Sequence, residues 1–117
     1  MTDPFDAVRA HCLALDGVTE KLSHGSPSFF RKGTPSRSGP CFVMCMDDHH
    51  GDGILGLWVA APEGAQEAAV GTDPDTFFVP PYVGGRGWLG VRLDRALGAD
   101  ELAELLDEAH AAVQKKR

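Results

Sequence analysis

The chain has 117 residues, of which 43% are hydrophobic and 24% charged, with a formal net charge of −6. That length fits one domain, 1–117, with its own core, and the balance argues against global disorder. A uniformly acidic surface would also be a poor partner for phosphates, so any nucleic-acid face must come from segregated charge. No apolar run approaches the roughly 20 residues of a membrane helix. The first ten residues carry Asp3, Asp6 and Arg9 and lack the pattern of a secretory signal, so the expected location is the cytoplasm, with no membrane partner. Cys12, Cys41 and Cys45 form an odd set without a C-x-x-C pair and read as reduced thiols.

Asp3-Pro4 opens a helix over residues 4–15, with Phe5, Val8, Cys12 and Leu15 on one face and Asp16-Gly17 as its stop. Residues 16–26 read as a connection, 28–32 as a short strand and 33–40 as a loop rich in Gly, Pro and Ser. Two apolar runs, 41–46 and 54–60, surround the polar segment Asp47-Asp48-His49-His50-Gly51-Asp52-Gly53 and predict an antiparallel hairpin. A weak helix follows over 61–69, then a short strand over 76–79, a turn over 82–85 and a strand over 88–93. The last element, from about residue 100 to 115, has the stripe Leu102, Leu105, Leu106, Ala109 and Val113. Acids crowd its start and Lys115, Lys116 and Arg117 its end, the order that the helix dipole favours. The expected fold is a two-layer α+β domain, an antiparallel sheet of about five strands flanked by N- and C-terminal helices.

Several motifs fail on context. Gly85-Arg86-Gly87-Trp88-Leu89-Gly90 spells a dinucleotide loop, but a strand-like stretch follows where a helix N-terminus would have to meet the pyrophosphate. A calcium loop starting at Asp48 would need a carboxylate at its twelfth position, which is Val59. His49 and His50 are neighbours that point to opposite sides and read as a solvated loop, so no metal site is assigned. Cys41 and Cys45, four apart on a strand, are expected to share one face as core residues. Ser23-His24 lacks the elbow that would make it catalytic, so no catalytic residue is assigned.

The charge is segregated. No acid occurs between Lys21 and Met46, or between Thr76 and Leu93. These segments hold Arg31, Lys32, Arg37, Arg86 and Arg92 beside Phe29, Phe30, Tyr82 and Trp88. Basic and aromatic side chains interleaved in this way are what a single-stranded nucleic-acid surface uses.

Residues 15–20 (Leu-Asp-Gly-Val-Thr-Glu), 23–29 (Ser-His-Gly-Ser-Pro-Ser-Phe) and 77–91, through Pro81-Tyr82-Val83-Gly84-Gly85-Arg86-Gly87-Trp88, resemble the signatures of the MmcQ/YjbR family. The resemblance implies a CyaY-like fold and the family's usual label, DNA binding through a "double wing" surface. It leads to a non-enzymatic binding protein, with DNA held by Arg31, Lys32, Arg86 and Arg92 and stacked on Trp88 or Tyr82. The alternative is a small-molecule pocket lined by His24, Tyr82, Arg86 and Trp88, and an enzyme of unnamed reaction comes third. No cofactor is expected, and monomer and homodimer stay open.

Overall fold

The alternating apolar runs of the middle of the chain pair into one six-stranded antiparallel sheet, seen in a computed structural model that describes residues 4–23, 25–33, 39–95 and 97–113. The elements are α1 (Asp6–Leu13), β1 (Thr19–Ser23), β2 (Ser26–Phe30), β3 (Cys41–Asp47), β4 (Leu55–Val59), α2 (Ala65–Thr72), β5 (Phe77–Phe78), β6 (Leu89–Arg92) and α3 (Ala99–Ala112). The spatial order is β1-β2-β3-β4-β6-β5, so β6 returns to lie between β4 and β5. Asp3, His24 and residues 115–117, each used in the sequence reading, lie outside the described residues.

Pairing sorts the side chains onto two faces. One row crosses five strands as Glu20, Phe29, Val43, Val59 and Leu89, and a second runs Cys45, Leu57, Val91 and Phe77. These rows meet α1 and α3, which bring Val8, Cys12, Leu106 and Ala109 into the same buried core. Helix α3 lies over β3 and β4, and α1 packs beside α3. Two polar contacts fix α1. Arg9 grips both carboxylate oxygens of Glu20 on β1 at 2.9 and 3.1 Å, and His11 Nε2 meets Asp107 Oδ1 of α3 at 2.7 Å.

The opposite face carries the row Lys21, Ser28, Met44, Trp58, Gly90 and Phe78, one residue from every strand. No carboxylate lies on the strand positions of this face; Glu20 and Asp47 both register with the helix side. The two acid-free segments flank β4 in the sheet, with Trp58 between them on this face, and each also sends side chains to the helix side.

The faces are not assigned by simple alternation throughout. Phe29 pairs with Val43 but Phe30 with Cys41, so Phe42 is an extra residue without an opposite partner. This bulge turns the Phe42 ring to the helix layer, where it meets His110 edge-on at 5.2 Å. It also puts Cys41 with Phe30 on the far face, while Cys45 stays in the core. The expectation that the two thiols share a face is corrected by this one residue.

Other differences have local causes. β1 falls within the stretch 16–26 that the sequence reads as a connection, because its burial does not alternate cleanly and it lies at the sheet edge, with Leu22 74% exposed. α2 begins at Ala65, not Ala61, because Gly64 takes a left-handed conformation (φ 87) just before it.

Gly90 is required by packing: a Cβ there would run into the ring of Phe78. Gly90→Ala should therefore cost about 1–3 kcal/mol of stability in chemical denaturation, the usual penalty of overpacking. Adding Phe78→Leu should recover part of that loss.

Candidate functional site

Two turns from opposite ends of the sheet meet over Trp58. The first is the β3–β4 hairpin. Asp48 adopts a left-handed backbone (φ 55) and its Oδ1 accepts from Gly53 N–H at 2.7 Å. Asp52 Oδ1 accepts from Ile54 N–H at 2.9 Å. These short-range bonds are the asparagine-like turn chemistry of Asp. They fold a 3-10 turn, His49–Gly51, back onto the sheet, so that the His49 ring stands edge-on to Trp58 at 5.0 Å. The solvated reading of this loop does not hold for His49, which is half-buried.

The second turn runs from Val79 to Trp88. Val83 N–H donates to Pro81 O at 2.6 Å, and between them Tyr82 takes φ 66, a conformation that a side chain other than glycine adopts at a cost. Gly84 is packed so closely that a Cβ would lie 2.6 Å from Val79 Cγ1. Gln66 of α2 fastens the turn, donating from Nε2 to Gly84 O at 2.8 Å and to Trp88 O at 2.6 Å. The result holds the Tyr82 ring 6.0 Å from His49 and 6.3 Å from Trp58, yet 77% exposed. Trp58 itself is only 3% exposed. A buried tryptophan, a half-buried imidazole and an exposed tyrosine thus form one aromatic cluster. Ring contacts of this kind are worth about 0.5–1.5 kcal/mol beyond burial.

The residues singled out in the sequence are only partly brought together. Tyr82, Arg86 and Trp88 share the second turn, with the Arg86 guanidinium 5.3 Å from the centre of the buried Trp88 ring. Lys32 is exposed and its stem lies against Gly17. Arg31 points to the helix layer, where Nη1 donates to His110 O and Nδ1, both at 2.8 Å. Arg92 is closed onto Asp94 by two hydrogen bonds of 3.0 and 2.9 Å. That contact raises Arg92 further above its ordinary value and lowers Asp94 below its own. His24 lies outside the described residues. The sequence reads His49 only as a solvated loop residue and does not single out Trp58, because their meeting depends on the hairpin folding back, which spacing does not reveal.

Cys12 and Cys41 are poor nucleophiles. Burial, with the charges of Asp107 and Glu20, pushes Cys12 up to about 12, and burial also raises Cys41. Among the described residues no three His, Cys, Asp or Glu side chains are grouped to hold a metal ion. The glycine-rich turn leads into β6 after Gly87, so no α-helix N-terminus stands where a dinucleotide loop would need one.

The family model of YjbR matches residues 13–112, which is nearly everything from the end of α1 through α3. The chain belongs to the YjbR family. Both aromatic turns lie within the YjbR match. The crystal structure of Deinococcus radiodurans protein DR2400, which carries the domain DUF419, is similar in fold, with a TM-score of 0.79 at 23% identity. The likeness covers 99% of this chain and 84% of that one. No curated protein matches the chain. Among the described residues no helix is long and apolar enough to cross a membrane.

The left-handed backbone at position 82 has a measurable consequence. Tyr82→Gly and Tyr82→Ala both remove the ring, but only glycine relieves the strain. Tyr82→Gly should be more stable than Tyr82→Ala by about 1 kcal/mol in urea titration.

Proposed function

We propose that this YjbR protein is a non-enzymatic binding protein that takes a small planar aromatic ligand against the Tyr82 ring, on the sheet face away from α1 and α3. The observation that carries this reading is the exposed Tyr82 ring, held in a strained backbone and propped on His49 and Trp58. Strain retained beside an exposed aromatic is more readily explained by a ligand than by packing. The raised thiols of Cys12 and Cys41 favour binding over nucleophilic chemistry.

DNA binding is the second reading. It is supported by Lys21 lying 4.9 Å over the Phe30 ring and Arg86 over Trp88, two cations laid on aromatics near a face without strand carboxylates. It has fewer free cations than the charge pattern promised, because Arg31 and Arg92 are engaged with His110 and Asp94.

Thermal shift and tryptophan fluorescence with adenosine and flavin mononucleotide test the first reading. At least one should stabilise the protein, and Tyr82→Ala should weaken that binding tenfold or more, as loss of a stacking contact worth about 1–3 kcal/mol implies. Equal responses from the wild type and Tyr82→Ala would contradict it. Tight binding of a single-stranded oligonucleotide that fades steeply with salt would move the assignment to nucleic acid.

A further inference from the structure

The Arg31–His110 contact lies outside the aromatic site and has a chemistry of its own. A guanidinium carries donors only, so the His110 Nδ1 that Arg31 Nη1 approaches to 2.8 Å must be the lone-pair nitrogen. The ring is therefore neutral, with its proton on Nε2, a buried atom that has no hydrogen-bond partner among the described residues. The same Nη1 also donates to His110 O, so one arginine from the end of β2 closes a carbonyl in the last turn of α3. Beneath the imidazole is the edge-on ring of Phe42, the bulge residue of β3.

We propose that Arg31 and His110 form a pH-sensitive latch, which fastens the last turn of α3 to the sheet while the imidazole is neutral and lets that turn go when it is protonated.

Protonation would set an N–H on Nδ1 against the N–H of Arg31, donor against donor and cation against cation. The surroundings offer little to offset this. β3 contributes the neutral Phe42 ring, and the end of β2 contributes the Arg31 charge. From α3, Asp107 attracts the imidazolium, but its Oδ1 already meets His11 Nε2 of α1 at 2.7 Å. Burial first, then Arg31, lowers the His110 value below its ordinary 6.5, with Asp107 acting in the opposite sense. Between the ordinary and the lowered value the released state therefore binds more protons than the latched one. The latch is at full strength above the ordinary value and weakens as the pH falls through it.

Amide hydrogen exchange of residues 106–112, corrected for intrinsic rates, tests this between about pH 7.5 and pH 5. In the wild type, protection should fall on acidification by about tenfold for each unit by which the imidazole value is lowered. His110→Gln keeps an acceptor for Arg31 but does not titrate, and its protection should not vary with pH. His11→Gln should follow the wild type. Wild-type protection that does not change with pH, or the same loss in His110→Gln, would overturn the latch. Should His110→Gln not fold, the ring of His110 is titrated by NMR in the wild type. A midpoint below the ordinary value that coincides with the loss of protection supports the latch, and a midpoint at or above it overturns the latch.

Discussion

A single extra residue in β3 decides which side chains meet the helices. Phe29 faces Val43 and Phe30 faces Cys41, which leaves Phe42 over. Side chains alternate along a strand, so a slip of one residue exchanges the two faces beyond it. With the bulge in place, Phe42 and Val43 both enter the helix layer and Cys41 leaves it. Without it, Phe42 could not support His110, and the contact that ties the end of α3 to the end of β2 would have no floor.

The far face follows from the same pairing. Its central row, from Lys21 to Phe78, is mostly small or apolar, and it holds Trp58 where the hairpin and the Val79–Trp88 turn can both reach it. Each turn is held by bonds independent of the other: carboxylate-to-backbone bonds of Asp48 and Asp52 on one side, and the Gln66 amide on the other. The cluster is thus positioned by two separate anchors, and its outermost ring, Tyr82, is the part left in solvent. Its neighbours on the helix side contribute stability and leave this surface unobstructed.

Much of this architecture was legible from residue types. The leucine stripe of α3 and the two apolar runs of the hairpin marked the right elements, and the signature around residues 77–91 marked the family. The misses have physical reasons. β1 is an edge strand with little buried area, so its residues carry no periodic signal. The bulge at Phe42 leaves no trace in composition, since Cys-Phe-Val-Met-Cys-Met reads as apolar whichever way each side chain points. The acid-free segments can be counted in the sequence, but the individual partners of their basic residues were not legible. Arg31 lies 79 residues from His110 in sequence, and only folding brings them together. Trp58 and His49 became part of the site through a loop that folds back, a property of backbone conformation at Asp48 and not of spacing.

The most direct test of the bulge-set register is the reactivity of the three thiols towards a disulfide reagent in the native protein. Cys12 and Cys45 are buried in the core, whereas Cys41 lies on the far face and is only partly buried. One thiol per chain should react, slowly because its value is raised, and Cys41→Ser should abolish the reaction while Cys12 and Cys45 label only on unfolding. Native labelling that persists in Cys41→Ser, or that reaches Cys45 as fast as Cys41, would contradict the register on which the core, the latch and the aromatic face all depend.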